Sequence, residues 1–179
     1  MRRALSSSDD GDLLRAERDV QKRLDEVGLA VDLDFASMAV VANVFRVASA
    51  ARSHFERTVL ADAGLSFSAF TVMWVLWIWG EMESRELAID AGITKGTLTG
   101  VVGTLERRGL VARRRDEGDR RLVRVAATPA GDELMAGLFA RFNEGETRIV
   151  SGLDADESRQ LATLLRGVLR SVEEVDGRG

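Results

Sequence analysis

The most concentrated functional chemistry in this 179-residue chain is a cluster of basic side chains between residues 94 and 124. This segment contains nine lysines and arginines and four acidic residues, a net charge of +5, whereas the whole chain carries −4. The remaining residues therefore carry −9, so a compact basic segment is surrounded by acidic sequence. Positive charge concentrated in this way is typical of a surface that binds nucleic-acid phosphates.

Other kinds of site lack the residues that they need. The chain has no cysteine, which excludes disulfides, thiolate metal sites and cysteine redox sensing. His54 is the single histidine, so we expect neither a conventional zinc or iron site nor a cofactor. The sequence contains no nucleophile–base pair, phosphate-binding loop or metal-ligand cluster, and we therefore do not expect an enzyme.

The composition predicts a soluble, mostly helical, cytoplasmic protein. Hydrophobic residues make up 45% of the chain, with one proline and no tyrosine, which argues against a β-sandwich or barrel. The longest apolar stretch, residues 67–78, is too short to cross a bilayer. The first residues, Met1-Arg2-Arg3, are followed by serines and acids rather than by an apolar signal-type segment, so we expect no association with a membrane.

The basic segment begins on a predicted helix-turn-helix. Residues 84–91 have the pattern of a short helix, and Gly92 supplies the left-handed backbone of a tight turn. Thr94 is a helix N-cap candidate for a second helix that continues through Arg108. The apolar residues predicted to face inward from this second helix are Leu98, Val101, Val102 and Leu105. A helix, a glycine-containing turn and a second helix form a helix-turn-helix motif. In DNA-binding proteins the second helix of this motif lies in the major groove.

A basic hairpin follows directly. Gly109 is a helix-ending signal, and residues 110–115 and 122–127 are two short strand-like runs. They flank a turn-rich segment at 116–119. We therefore predict a mostly α-helical fold, a winged helix-turn-helix with a two-stranded β wing, flanked by long N- and C-terminal helices.

Apolar periodicity predicts the flanking helices. Residues 1–8 are expected to be disordered, and residues 9–31 are either a solvated acidic arm or an amphipathic helix docked on the body. A long helix over 35–62 has two apolar faces, which indicates two packing partners. Ser66 caps a buried helix that runs to Trp79. Further helices are predicted from Thr128-Pro129 and from Asp154, the latter with Glu157 in a capping box.

Three segments resemble the multiple-antibiotic-resistance-regulator (MarR) family. Residues 92–102 (GITKGTLTGVV) look like the family's turn and recognition helix, and residues 105–111 (LERRGLV) look like its continuation into the wing. Residues 119–131, from Asp119-Arg120-Arg121-Leu122 to the Thr128-Pro129 helix start, are similar to the family's Asp-x-Arg wing signature. The resemblance covers roughly residues 35–175, whereas residues 1–34 form an extension that many members lack.

The resemblance implies that the protein is a homodimer and that small molecules regulate it. It implies that N- and C-terminal helices interlock while two winged lobes bind one DNA duplex, and that small molecules bind between the dimerisation and DNA-binding regions. We therefore expect an N-terminal extension at 1–34, dimerisation helices at 35–65 and 129–179, and a DNA-binding region at 66–128. The expected function is that of a sequence-specific transcriptional regulator, in particular a ligand-responsive repressor on a pseudo-palindromic operator.

The outward face of the second helix is the candidate base-reading surface. A helix fits the DNA major groove, where its polar side chains contact base edges. The candidate contacts on this helix are Lys95, Thr97, Thr99, Gly100 and Thr104. A glycine within a helix is less stable than alanine by about 0.5–1 kcal/mol. Gly96, Gly100 and Gly103 therefore indicate that close approach of this helix to DNA matters more than the stability of the helix.

The wing supplies the remaining candidate DNA contacts. Asp119 and Arg121 lie two residues apart, on one side of an extended chain, so the aspartate can hold the guanidinium as it enters the minor groove. Arg120 is the competing candidate for insertion. The residues predicted to contact phosphates are Arg113, Arg114, Arg115 and Arg124.

A small aromatic or phenolic effector is the predicted ligand. Its candidate pocket, where helices 35–62 and 66–79 meet, is lined by Arg46, Arg52, His54, Phe70, Trp74 and Trp77. The alternative for these residues is that the tryptophans are core and the arginines form surface or interface pairs. The alternative for the whole chain is a dimeric winged-helix module for protein interaction or ligand binding that does not bind DNA.

Overall fold

The computed structural model describes residues 10–28, 32–116, 118–119 and 121–177, which form eight helices and three strands. The N-terminal helices are α1 (Asp10–Val27), α2 (Phe35–Arg57), α3 (Val59–Ala63) and α4 (Phe67–Trp79). The central elements are β1 (Met82–Glu83), α5 (Ser84–Asp90), α6 (Lys95–Arg107), β2 (Val111–Arg115) and β3 (Val123–Ala127). The chain continues with α7 (Pro129–Ile149) and α8 (Ala155–Asp176). No helix in the described ranges is long and apolar enough to span a membrane.

The predicted winged helix-turn-helix is confirmed, and its sheet has one more strand than expected. Strands β2 and β3 form the antiparallel hairpin of the wing, with Arg114 opposite Arg124. The two residues of β1 pair with the other edge of β3, which gives the order β1-β3-β2. β1 could not be predicted from the sequence, because a strand of two residues shows no alternating pattern.

The helix predicted over 35–62 is wrong in one respect, because it is two helices. α2 ends at Arg57 and α3 begins at Val59, with Thr58 between them. The Thr58 hydroxyl donates a hydrogen bond of 2.7 Å to the carbonyl of His54, four residues back. A threonine that bonds to the preceding turn in this way competes with regular helix geometry and favours a bend.

The chain divides into two compact units, residues 1–50 and 51–179. In the first unit α1 is helical as one of the two interpretations expected, with Ala16 buried and the Glu17 carboxylate accepting a 3.1 Å hydrogen bond from Asn43 on α2. Residues 1–8, expected to be disordered, lie outside the described residues.

The core of the second unit forms around α4. Val72, Met73 and Leu76 of α4 are almost completely buried, and α4 packs against α5, α6, α7 and β3. Its apolar character on all sides is what a helix enclosed by neighbours requires. Leu60, Leu87, Leu105, Val125 and Met135 complete this core.

The first turn of α7 is fixed to the start of the wing. The Thr128 hydroxyl donates a 2.6 Å hydrogen bond to the Gly109 carbonyl and also accepts from the Gly131 amide at the helix N-terminus. A Cβ atom at Gly131 would lie 2.2 Å from the Leu110 carbonyl oxygen, so only glycine allows this approach. The wing is therefore anchored at its base to α7.

Candidate nucleic-acid interface

The candidate base-reading helix α6 is held by its apolar side. Leu98, Val102 and Leu105 are buried against α4 and α5. At its N-terminus Thr94 accepts a 3.1 Å hydrogen bond from the Thr97 amide, and the preceding Gly92 has the predicted left-handed backbone, with φ of 63°. The turn, the cap and the inner face are thus confirmed, and they fix which side of α6 faces solvent.

That outer side consists of small and basic residues. The exposed members are Lys95, Gly96, Thr97, Thr99, Gly100, Thr104 and Arg107. The helix has regular geometry there, and a Cβ atom at Gly100 would meet nothing within 4 Å. The fold therefore does not require glycine at this position, although glycine in a helix is destabilising.

Hydrogen bonds connect the described residues of the wing tip. The Asp116 carboxylate accepts hydrogen bonds from the amides of Gly118 and Asp119, at 2.9 and 3.1 Å, and these amides lower the pKa of Asp116. The Leu122 amide donates to the Asp119 carbonyl at 2.9 Å. The tip residues 118–119 and 121 therefore have a defined place at the end of the hairpin.

The predicted ion pair between Asp119 and Arg121 is present at this tip. Nη2 of Arg121 donates to Oδ2 of Asp119 at 2.8 Å, while Nε donates to Oδ1 at 3.0 Å. This side-chain contact lowers the pKa of Asp119, so the pair stays charged at neutral pH. The Arg121 side chain is nevertheless 90% exposed. The alternative wing residue, Arg120, lies outside the described residues.

Most of the arginines predicted to contact phosphates already have acidic partners. Nε of Arg113 donates to Glu106 on α6 at 3.0 Å, a contact that joins α6 to β2. Arg114 donates to both oxygens of Glu81, at 2.7 and 2.6 Å. Arg124 donates to the same Glu81 at 2.7 Å and lies 3.4 Å from Asp116. Within the described part of the chain, Arg115 and Lys95 have no acidic partner.

Glu81 is the residue of this region that the sequence analysis missed. It lies directly before β1 and faces two arginines that are opposite one another across the β2–β3 hairpin. Like charges at directly opposite strand positions repel, and Glu81 offsets this repulsion. Its hydrogen bonds with Arg114 and Arg124 lower the pKa of the Glu81 carboxyl group, which is therefore ionised at neutral pH.

Arg108 belongs to the basic segment by sequence, but in the structure it makes a contact within the fold. Its guanidinium donates to the carbonyls of Ala63 and Gly64, both at 2.8 Å, where α3 ends. A cation at a helix C-terminus satisfies carbonyls that have no partner within the helix. Arg108 therefore joins the end of α6 to α3.

One of the six candidate effector-binding residues lies in the first unit and five lie in the second. In the first unit Arg46 donates to Asn43, lies 3.6 Å from Glu17, and lines a cavity of about 340 Å³ beside Leu14 and Phe35. In the second unit Phe70 is buried with its ring 4.1 Å from that of Phe142.

The other four lie on or near the surface of the second unit. Trp74 stacks on Phe139 at 4.8 Å, and Trp77 lies 5.8 Å from Trp74. Arg52 is exposed, with its guanidinium 5.2 Å from the Phe67 ring, and His54 meets the edge of Phe55. Phe70 is part of the hydrophobic core of the second unit, whereas Trp74 and Trp77 are partly buried against it. No group of three or more acidic or histidine side chains in the described ranges is arranged to hold a metal ion.

Comparison with known proteins identifies the fold and the family. The family model described as "MarR family" matches residues 65–123, which contain the helix-turn-helix and most of the wing. The HTH-type transcriptional regulator YwaE of Bacillus subtilis is 33% identical over 87% of this chain and 91% of its own length.

Solved structures agree with this assignment. The transcriptional regulator PA4135 is 31% identical, with a TM-score of 0.66, over 73% of this chain and 95% of that protein. BpsR of Bordetella bronchiseptica, whose DNA binding is regulated by 6-hydroxynicotinic acid, is 26% identical with a TM-score of 0.67, over 72% and 97% respectively. The chain belongs to the MarR family of winged helix-turn-helix, DNA-binding transcriptional regulators.

Proposed function

We propose that this regulator is a ligand-responsive repressor that binds a pseudo-palindromic operator as a homodimer, with α6 and the wing as its DNA contacts. The observation that carries the proposal is that these two elements are adjacent and joined. α6 packs on β2, Arg113 bonds to Glu106 between them, and both elements expose basic or small polar side chains.

The two elements suit different parts of a duplex. α6 is narrow on its outer side, which suits the major groove, and Lys95 at its first turn can reach a guanine edge or a phosphate. Arg121 at the wing tip suits the minor groove, whose negative potential attracts arginine. Arg115 has no acidic partner among the described residues and is free to bind a phosphate.

Exposed apolar surface supports a dimer. No residue of α8 is buried. One face of this helix carries exposed apolar side chains that are 42–72% exposed, namely Leu161, Leu164, Leu165, Val172 and Val175. An apolar stripe of this size marks an interaction surface. We propose that α8, with the exposed residues of α2 such as Phe45, forms the dimer contact, and that residues 35–65 and 129–179 are the dimerisation helices. Two recognition helices would then lie one DNA turn apart, roughly 34 Å.

An aromatic effector is the ligand that the side chains favour. Trp74, Trp77 and Phe139 form an aromatic cluster on the second unit, and BpsR, a relative of similar fold, responds to 6-hydroxynicotinic acid. We propose that this chain responds to an aromatic or phenolic anion of the same kind. We also propose that it has no catalytic activity and acts in the cytoplasm, because the family consists of transcriptional regulators.

Replacing Arg121 with alanine is expected to reduce operator affinity about tenfold or more, because the minor-groove contact is lost. The variant should remain folded, since the side chain is 90% exposed. A gel-shift titration with the selected operator measures the affinity. Arg148→Ala, which removes an exposed arginine from the last turn of α7, is the matched control and should bind as the unmodified protein does. Equal affinity of the two variants would contradict the role of Arg121.

Gly100→Ala is expected to stabilise the protein and weaken its DNA binding. The added methyl group meets nothing within the chain, so helix propensity should raise the free energy of unfolding by about 0.5–1 kcal/mol. The same methyl group would hold α6 away from the base edges. Gly137→Ala on α7 also meets nothing within 4 Å and should stabilise equally with no effect on DNA. Urea unfolding and gel shifts check both, and full operator affinity in Gly100→Ala would be inconsistent with close approach.

Glu81→Gln is expected to raise affinity for DNA of any sequence. Arg114 and Arg124 lose the carboxylate they share and become better able to bind phosphates. Each arginine that turns to a phosphate should steepen the plot of log affinity against log salt by about one unit. Glu133→Gln, which removes the same charge from an exposed position on α7, is the control. A salt dependence that is identical in both variants would show that Glu81 does not restrain these arginines.

Binding of an aromatic anion is expected to quench tryptophan fluorescence. The exposed Trp79 contributes background, so the titration uses Trp79→Phe protein and 6-hydroxynicotinic acid as the probe. Trp74 and Trp77 then report the site, and release of operator DNA by the same probe should follow the same concentration dependence. Quenching without release of DNA, or no quenching by a broad set of phenolic acids, would argue against the effector proposal.

A further inference from the structure

The outer face of α6 offers DNA very few hydrogen-bond donors. Its exposed side chains include three threonines but no asparagine or glutamine. Lys95 and Arg107 are its long donors, and Nη2 of Arg107 already donates to the Thr104 hydroxyl at 3.0 Å. The bases that this helix can recognise therefore depend on whether the threonine hydroxyls are available as hydrogen-bond donors.

The Thr99 hydroxyl hydrogen is committed to the helix itself. Thr99 donates a 2.9 Å hydrogen bond to the Lys95 carbonyl, and Thr104 donates one of 3.0 Å to the Gly100 carbonyl. A hydroxyl group has a single hydrogen, so these side chains retain oxygen lone pairs and a methyl group for a ligand. The Thr97 hydroxyl shares a hydrogen with that of Thr94, and either can donate, so Thr97 does not enter the argument.

The methyl group of Thr99 matches one base in the major groove, because thymine alone presents a methyl group there, whereas the acceptor oxygen of Thr99 can accept from the amino group of adenine or of cytosine. Guanine presents two acceptors there, which need a donor that Thr99 no longer has. Thymine presents its C5-methyl group, which favours apolar contact, and its adenine partner presents an amino donor. Thr99 therefore suits an A·T pair and gains nothing from guanine.

The position of Thr99 supports contact with a base edge. It is the fifth residue of α6, within the first two turns, where recognition helices contact bases. A threonine methyl group is short, so it reaches a base only if the helix backbone comes close. Gly96 and Gly100 flank Thr99 on the exposed side, and neither position requires glycine for contacts within the chain.

We propose that Thr99 is a specificity-determining residue that contacts the C5-methyl group of a thymine in each operator half-site. The inference rests on the proposed binding of α6 in the major groove. It specifies the kind of DNA that the protein binds, namely a half-site with a required thymine opposite Thr99. The proposed contact of Lys95 with a guanine or a phosphate does not depend on this thymine.

The first measurement uses the unmodified full-length chain and a random duplex library to select bound DNA. Each thymine of the selected half-site is then replaced singly by deoxyuridine, which lacks only the C5-methyl group. One position is expected to lose affinity about fourfold per half-site, the effect of exposing one methyl group to water. The other thymines should tolerate the replacement.

Two variants of Thr99 identify the side chain that reads this methyl group. Thr99→Val keeps the methyl group and the branched shape but removes the hydroxyl, so it should keep its sensitivity to deoxyuridine and lose less affinity than the serine variant. Thr99→Ser keeps the hydroxyl and removes the methyl group, so it should bind more weakly and become indifferent to deoxyuridine at that position. Non-additivity of the serine and deoxyuridine changes measures the contact directly.

The outcomes separate this inference from the function on which it rests. Failure of the unmodified chain to select any duplex would overturn the proposed function and the inference with it. Selection of an operator whose affinity is unchanged by every deoxyuridine would overturn the inference alone. A loss in Thr99→Val as large as that in Thr99→Ser would also overturn it, because the hydroxyl would then be the contact.

Discussion

The packing of α6 on α4 is the constraint on which the proposed DNA-binding surface depends. Leu98, Val102 and Leu105 are buried against α4, whose inner residues are themselves almost completely buried, so α6 has one rotational setting about its axis. A helix that is fixed in this way presents a fixed outer face. Because the apolar residues of α6 pack in the core, its threonines and glycines are the residues exposed to solvent.

Electrostatics in the wing serves to position arginines as much as to attract DNA. The net charge of +5 counted over residues 94–124 overstates the free positive charge, because Glu81 lies outside that segment and binds two of its arginines. Glu106 and Asp119 hold Arg113 and Arg121 in the same way. The hydrogen bonds lower the pKa of each carboxyl group, so these pairs persist as pH falls towards the ordinary carboxyl range. These three carboxyl groups are therefore ionised across the neutral range.

Local signals made most of this fold predictable. Thr94, Gly92 and Gly109 act through hydrogen bonds and backbone angles within a few residues, and the bounds of α6 follow from them. The Asp119–Arg121 pair is equally local. Glu81 could not be identified in this way, because its partners are 33 and 43 residues away and are brought to it by a strand of two residues. The surroundings of the candidate effector residues could not be predicted for the same reason. Phe70, for example, stacks on Phe142, a residue that only the tertiary fold brings near it.

The small residues of α6 show how function and stability oppose each other in this helix. A stable helix favours alanine or a long side chain at exposed positions, yet Gly96, Gly100 and Gly103 occupy the outer side without any contact in the chain that excludes a Cβ atom. The buried contacts of Leu98, Val102 and Leu105 offset this loss of helix propensity. The core thus stabilises a helix whose exposed residues have low intrinsic helix propensity. The proposed contact of Thr99 with a thymine methyl group depends on this, because it requires the small outer face of α6 to lie close to the bases.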